Sequence, residues 1–173
     1  TKGVVKVETN FGITGPGSSF IFKDINEDTL FELSFAADGK VYAIGDEKVD
    51  TGLEAKSGSY NIYYELNLDS RKAKLVVNAK DAGVYDMSKK ATDLSELTVT
   101  THKETTSTTT VNEVHMYVNY DVMDMFRIDK VGTAPYGWTV SEGVKVVQAK
   151  GDLDPNSVKI PGKGSAKKTF DKV

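Results

Sequence analysis

Apolar and polar residues alternate with a period of two along most of the chain, and long stretches with the 3.6-residue period of a helix are missing. Phe31, Leu33 and Phe35 are separated in this way by Glu32 and Ser34. Successive side chains of a strand point to opposite faces, so such a run turns one face to a core and the other to water. The alternation recurs in residues 60–68, 72–77 and 114–119 and predicts antiparallel sheet.

Short turn sequences separate the alternating runs. Asp38-Gly39 lies between two apolar runs and predicts a hairpin turn, because glycine tolerates a positive φ there. Residues 68–71 predict a second short turn, and residues 15–17, 45–46 and 57–58 interrupt further runs. The spacing predicts roughly a dozen short strands, as in a sandwich or a barrel.

Two stretches depart from this pattern. Residues 79–95 are expected to hold a helical turn around Met87–Lys90. Residues 98–110 are dense in threonine, which favours strands because it is β-branched. They predict a strand that runs into an exposed hairpin, Lys103 to Thr110. A flexible O-glycosylated stalk is the alternative, but the stretch contains no proline.

The composition indicates one soluble domain over residues 1–173, because 39% hydrophobic residues suffice for one core. A net charge of -3 without a basic stripe argues against a nucleic-acid partner. No apolar run approaches the roughly 18 residues of a membrane helix, so membrane insertion is not expected. The chain has no cysteine, which excludes disulfides and thiolate sites. Because it opens with Thr1 instead of Met, we expect it to be a fragment of something longer.

Catalytic motifs are missing from the sequence. His102 and His115 are the only histidines, neither belongs to a zinc-hydrolase spacing, and both are expected to be exposed strand residues. No Gly-x-Ser-x-Gly elbow or phosphate-binding loop occurs, and the many carboxylate pairs are best explained as solvated surface charge. We therefore expect that the chain is not an enzyme.

One acidic segment is a candidate for binding calcium. Asp152, Asp154 and Asn156 place oxygen side chains at alternate positions of a loop, and Ca²⁺ takes six to eight oxygen ligands. The glycine and the distal glutamate of a helix-loop-helix calcium site are missing. A turn capped by the Asp and Asn side chains explains the segment equally well.

Several aromatic residues are candidates for contacting sugars, because a ring can pack against the apolar face of a pyranose. Two of them, Tyr63 and Tyr117, project from the polar faces of their strands, and three others lie near strand ends or in loops. These three are Tyr120, Tyr136 and Trp138. Burial of Trp138 in the core is the alternative for that residue.

The middle of the chain resembles the laminin-G-like or concanavalin-like jelly-roll modules of bacterial enzymes that degrade polysaccharides. Residues 58–69 and 73–78 resemble the adjacent hairpin strands of that family, residues 31–41 its preceding hairpin, and residues 125–131 its closing strand. The resemblance implies an all-β, antiparallel, two-sheet jelly-roll sandwich. It also implies a non-catalytic carbohydrate-binding or accessory module of a bacterial extracellular protein, with a polysaccharide as partner and possible structural calcium.

The order of elements is rotated relative to that family. Residues 137–173 resemble the strands that usually open such a domain, and here they come at its end. Either the chain is circularly permuted and its C-terminal strands close their own domain, or these strands are exchanged with neighbouring copies. The second arrangement implies an alternative function, a structural repeat or subunit of a cell-surface protein or filament.

Overall fold

The described part of the chain consists of strands and loops. The structure is a computed structural model that describes residues 3–102, 106–117, 121–124, 126, 129–148 and 156–170. In the first half of the chain the strands are β1 (Val4–Ile13), β2 (Ser18–Lys23), β3 (Thr29–Phe35), β4 (Lys40–Ile44), β5 (Lys48–Glu54), β6 (Gly58–Asn67), β7 (Lys72–Val77) and β8 (Lys80–Asp86). In the second half they are β9 (Glu96–Thr101), β10 (Thr109–Tyr117), β11 (Asp121–Asp124), β12 (Thr139–Val140), β13 (Lys145–Val147), β14 (Ser157–Ile160) and β15 (Ser165–Thr169).

The strands form two antiparallel sheets that pack face to face, which confirms the predicted two-sheet sandwich of the jelly-roll type. The eight-stranded sheet has the order β13-β14-β10-β1-β6-β7-β8, and β11 also pairs with β10. The seven-stranded sheet has the order β12-β15-β9-β2-β3-β4-β5. No helix among the described residues is long and apolar enough to cross a membrane.

One core lies between the sheets, and strict alternation builds it. Along β1 every second side chain is buried, from Val5 to Ile13, while those between are exposed or half-buried. Phe20 and Phe22 of β2 face them from the other sheet and are fully buried. The period-two pattern of the sequence thus reports directly which side chains are in the core.

Both predicted hairpin turns are present. The turn at residues 36–39 joins β3 to β4, and Gly39 adopts a φ of 83° that favours glycine. Residues 68–71 join β6 to β7, and the Asn67 side-chain oxygen accepts the backbone N–H groups of Asp69 and Ser70 at 3.1 and 2.9 Å. This side chain fixes the turn and with it the register of the two strands.

Two expectations about local structure are wrong. Residues 87–90 form an irregular segment with bends at 89–90 and not a helical turn, because this segment crosses from β8 in one sheet to β9 in the other. In the described part of the expected hairpin over residues 103–110, residues 106–108 lie in no strand, and β10 begins at Thr109 in a different sheet from β9. Residues 103–105 lie outside the described part of the chain. Among the described residues of the segment 125–131, none lies in a strand.

The C-terminal segment contributes two strands to each sheet. β14 pairs with β10 and β13 with β14, whereas β15 pairs with β9 and β12 with β15. In this arrangement the segment closes its own domain. Exchange of the strands between copies stays a prediction, which a measurement of mass in dilute solution would test.

A chain of buried hydroxyls joins the sheets next to the C-terminal segment. Ser18 of β2 and Thr101 of β9 both lie within hydrogen-bond distance of the Thr109 hydroxyl of β10, at 2.6 and 2.9 Å. Thr101 donates its own proton to the carbonyl of Ile160 in β14 at 3.1 Å. The direction of donation therefore runs from Ser18 through Thr109 and Thr101 to the backbone of β14, so all three hydroxyls are satisfied in the core.

Two other hydroxyls in the core have no hydrogen-bond partner among the described residues, those of Tyr64 on β6 and Thr9 on the neighbouring β1. Burial raises the pKa of the Tyr64 phenol, and the nearby Thr9 hydroxyl lowers it only in part. The Tyr64 ring itself packs well, edge-on against Phe22 at 5.0 Å between centroids. The ring thus stabilises the core while its hydroxyl carries a desolvation cost.

We expect Tyr64→Phe to raise the free energy of unfolding by up to about 1 kcal/mol, because it removes an unpaired buried hydroxyl and keeps the ring. Urea unfolding measures the change. Tyr60→Phe is the matched control, since the Tyr60 hydroxyl donates to the carbonyl of Lys56 at 2.8 Å and its loss should destabilise. Equal destabilisation by both variants would show that the Tyr64 hydroxyl is satisfied.

A buried aspartate ties the crossing segment to the turn between β2 and β3. The Asp24 carboxylate is 1% exposed and accepts the backbone N–H groups of Asn26 and Asp28 at 2.9 Å and that of Thr92 at 3.0 Å. Burial raises the pKa of Asp24, but these hydrogen bonds together lower it more, and the net pKa lies below its usual value.

This aspartate should make the fold sensitive to acid. Because the folded pKa of Asp24 is depressed, its contribution is present above the unfolded pKa of about 4 and is lost as the pH falls further through the folded pKa. Urea unfolding between about pH 6 and pH 2 should show stability falling, with a shallower slope for Asp24→Asn. Asp86→Asn, at a carboxylate that is 75% exposed, should keep the wild-type slope.

The edge strands β5 and β8 are interrupted in the same way. In each, an aspartate side chain accepts the backbone N–H of a glycine two residues later at 2.9 Å, Asp50 with Gly52 and Asp81 with Gly83. Both glycines have a positive φ, 75° and 107°, and the pairing register shifts beside each of them. The Asp-x-Gly sequence therefore forms a bulge in each edge strand.

Candidate functional site

The outer face of the eight-stranded sheet carries a group of aromatic and charged side chains that the register brings together. These side chains alternate with the core residues of β10, β1, β6 and β7. We call the group the tyrosine patch, and it consists of Tyr63, Tyr117, His115, Glu8, Glu65, Lys6 and Lys74.

Two cross-strand rows build the patch. In the first row, Glu8 of β1 lies opposite His115 of β10 on one side and Tyr63 of β6 on the other. In the second row, Lys6 lies between Tyr117 and Glu65. Lys74 of β7 extends the second row beyond Glu65. β1 thus brings Tyr63 and Tyr117, which are far apart in sequence, onto one surface.

The two tyrosines are held by different neighbours. The ring of Tyr117 packs on that of His115, with centroids 3.8 Å apart and an angle of 40° between the planes. The Tyr63 hydroxyl donates to the Glu65 carboxylate at 3.3 Å. Burial raises the pKa of Tyr63, and the nearby carboxylates of Glu65 and Glu8 raise it further. Both rings are half-buried, so each keeps part of its surface accessible.

His115 differs from its expected position at the surface. It is only 9% exposed although it lies on the outer side of its strand, where the Tyr117 ring packs on it and β11 pairs beside it. The expectation that His115 is an exposed strand residue is therefore wrong. The alternation of β10 predicted its face correctly, but its exposure depends on neighbours that alternation does not describe.

The other predicted sugar-contacting residues lie elsewhere. Trp138 is 9% exposed, directly before β12 at the edge of the seven-stranded sheet, and packs on Phe126 with 5.9 Å between centroids. Because Trp138 is buried, a role of its ring in contacting sugars is disfavoured. Tyr136 is 82% exposed in the loop before it, and Tyr120 lies outside the described residues. The structure thus brings together Tyr63 and Tyr117 and separates them from the Tyr136-Trp138 loop.

The predicted calcium ligands are only partly described. Asp152 and Asp154 lie outside the described residues. Asn156 donates its side-chain N–H to the carbonyl of Asp129 at 3.0 Å, which joins the start of β14 to the preceding loop. Among the residues that the structure places, no group of three or more His, Asp or Glu side chains could hold a metal ion. Calcium binding by residues 152–156 stays a prediction.

A serine and a histidine meet on the outer face of the seven-stranded sheet. The Ser19 hydroxyl lies 2.8 Å from His102 Nε2 and donates to the Ser34 hydroxyl at 3.1 Å. A hydroxyl that donates to Ser34 must accept from His102, so His102 does not act as its base. Ser19 is also fully buried. The arrangement therefore links three strand ends and does not present a nucleophile.

A buried glutamate on the same face holds the last strand. Glu96 of β9 is 4% exposed and receives the Lys167 ammonium of β15 at 2.8 Å and the Thr98 hydroxyl at 2.6 Å. Burial raises the pKa of Glu96, but the bonds from Lys167 and Thr98 lower it more, so the group is held as a carboxylate. These contacts hold β15 on the sheet. Each polar group named in this paragraph has a hydrogen-bond or ion-pair partner.

Comparison with known proteins gives a likeness in fold. No family model matches the chain, and no curated protein matches it. Among solved structures it is similar to a sialidase, with a TM-score of 0.47 and 13% identity over 98% of this chain and 14% of the sialidase. It is also similar to an alginate lyase from Alteromonas sp.272, with a TM-score of 0.34 and 10% identity over 98% of this chain and 74% of the lyase. Similarity at this level concerns the architecture and does not show what the chain binds.

Proposed function

We propose that this chain is a non-catalytic glycan-binding module and that the tyrosine patch is its binding surface. The observation that carries the proposal is the register of β1, which brings the half-buried rings of Tyr63 and Tyr117 to one outer face with the charged groups of Glu8 and Lys6 between them. The resemblance of its hairpin sequences to modules of bacterial extracellular enzymes supports the same reading and a location outside a bacterial cell.

The patch offers both kinds of contact that a sugar ring needs. A pyranose has an apolar C–H face, which an aromatic ring covers, and a rim of hydroxyls, which charged groups bind. Glu8 and Lys6 lie between the two tyrosines in the two rows, so a sugar that rests on either ring has an acceptor and a donor beside it. Tyrosine also contributes contact area at a small cost in conformational entropy.

Binding should depend on both tyrosines. We expect Tyr63→Ala and Tyr117→Ala each to weaken glycan binding about tenfold or more, because a central aromatic anchor carries a large share of a binding free energy. The measurement is retardation in gels that contain polysaccharide, followed by calorimetric titration with oligosaccharides of the polymer retained.

The seven-stranded sheet supplies a matched control. Tyr42 is also a half-buried, outward tyrosine, on β4, and Tyr42→Ala should leave binding unchanged. Loss of binding in Tyr136→Ala alone would move the site to the loop before β12. Absence of binding to any polysaccharide on a broad glycan array would rule out the proposed function.

A further inference from the structure

The charges of the tyrosine patch alternate in sign. In the second row, Lys6, Glu65 and Lys74 lie opposite one another on three adjacent strands. Glu8 lies on the same face of β1, two residues from Lys6. With histidine counted as neutral, the seven residues of the patch contain two carboxylates and two ammonium groups, and their net charge is zero. Glu113 of β10, opposite Asn10 of β1 on the same outer face, adds a negative charge at the border of the patch.

Within the part of the chain that the structure describes, these four charged groups form no ion pairs. Ion pairs elsewhere on the described surface, such as Lys72 with Asp86 at 2.6 Å, involve neither Lys6 nor Lys74, nor either of the two glutamates. Among the described residues, Glu65 accepts one hydrogen bond, from the Tyr63 hydroxyl. The charged groups therefore keep most of their capacity to accept from, or donate to, the hydroxyls of a ligand.

The spacing of the charges makes the patch act as a neutral surface. Adjacent strands are about 4.8 Å apart, whereas the Debye length at physiological ionic strength is about 8 Å. A carboxylate on a ligand that approaches Lys6 or Lys74 is therefore also repelled by Glu65 between them. An amino group that approaches Glu65 meets the two lysines. The net charge of -3 on the whole chain adds to the repulsion of polyanions.

We infer that the tyrosine patch selects uncharged glycans over uronic-acid polymers. This inference rests on the proposed function and adds the substrate class. Neutral sugars use the carboxylates and ammonium groups as hydrogen-bond partners without a penalty from like charges. Their binding should also be nearly independent of salt, since no counterions are released.

The test compares two oligosaccharides of equal length by titration calorimetry, a neutral glucan and an oligouronate. We expect the neutral oligomer to bind more tightly and its Kd to change less than about twofold between about 20 mM and about 500 mM NaCl. Tighter binding of the oligouronate, with a Kd that rises about tenfold or more with salt, would overturn the inference and leave the proposed function standing. No binding of any glycan, here or on the array, would overturn both.

A variant that removes one charge separates the effect of charge on glycan selectivity from the effect of the shape of the patch. Glu65→Gln leaves the patch with a net charge of +1 and should improve binding of the oligouronate by about two- to fivefold at low salt. Glu47→Gln removes an exposed charge from the turn between β4 and β5 in the other sheet and should not change it. An oligouronate affinity that is the same in both variants would contradict the role of the alternating charges.

Discussion

Gly45→Ala is expected to lower the free energy of unfolding by about 3 kcal/mol or more, because there is no room for a single added carbon. A Cβ at Gly45 would lie 2.1 Å from the backbone oxygen of Asp86 and 3.0 Å from the carbonyl carbon of Met87. Backbone atoms cannot rotate away as a side chain does. The turn between β4 and β5 would have to separate from the segment that follows β8.

That separation would also break hydrogen bonds that join the two sheets. The Asp46 carboxylate, next to Gly45, accepts the Ser88 hydroxyl at 2.9 Å and the Lys89 N–H at 3.0 Å. Gly12→Ala is the control, because its Cβ would be 3.8 Å from the nearest heavy atom and its cost should stay within about 0.5 kcal/mol. Urea unfolding of both variants measures the difference. Similar stabilities for the two would contradict the close approach at Gly45.

Phe11→Ala is expected to cost about 3–5 kcal/mol, the range found when a large buried aromatic is removed from a core. Phe11 on β1 is fully buried and contacts two rings of the opposite sheet, Phe20 at 4.3 Å and Phe35 at 5.6 Å between centroids. It also stacks on Tyr60 of its own sheet at 5.5 Å. The substitution leaves a cavity at the point where the two sheets touch, and the rings around it can fill that cavity only in part.

Phe170→Ala tests whether the loss of stability depends on where the phenylalanine lies in the core and not on the residue type alone. Phe170 follows β15 and is only half-buried, so the same loss of a phenyl ring should cost clearly less. Thermal and urea unfolding should show that the Phe170 variant is more stable than the Phe11 variant. A Phe170 variant that is as unstable as the Phe11 variant would show that the last strand, and not the aromatic cluster, limits stability.

The fold could be predicted from the sequence as far as local alternation determines it. Phe31, Leu33 and Phe35 alternate with polar residues, and all three lie in the core. The turn at Gly39 likewise depends only on neighbours in sequence. The threonine-rich stretch shows the limit, because both of its strands were recognisable but their placement in different sheets was not. Sheet membership follows from contacts between distant strands, which alternation does not encode.

In the candidate site, too, local alternation predicts some features, and contacts between distant strands determine the others. Alternation predicts that Tyr63 and Tyr117 point away from the core, and the pairing of their strands with β1 agrees. That Glu8 faces both His115 and Tyr63 depends on the register of β1 with two strands that are distant in sequence. The burial of Trp138 depends on Phe126, twelve residues earlier in a loop, and could not be derived from the strand pattern.

The bulges at Gly52 and Gly83 limit how copies of this chain can join. β5 and β8 both end their sheets on the same side of the sandwich, and each has one backbone N–H already taken by its own aspartate. A strand from another molecule cannot continue either sheet there without breaking these bonds. We therefore expect strands of other molecules to add less readily at β5 and β8 than they would at an unbroken edge strand.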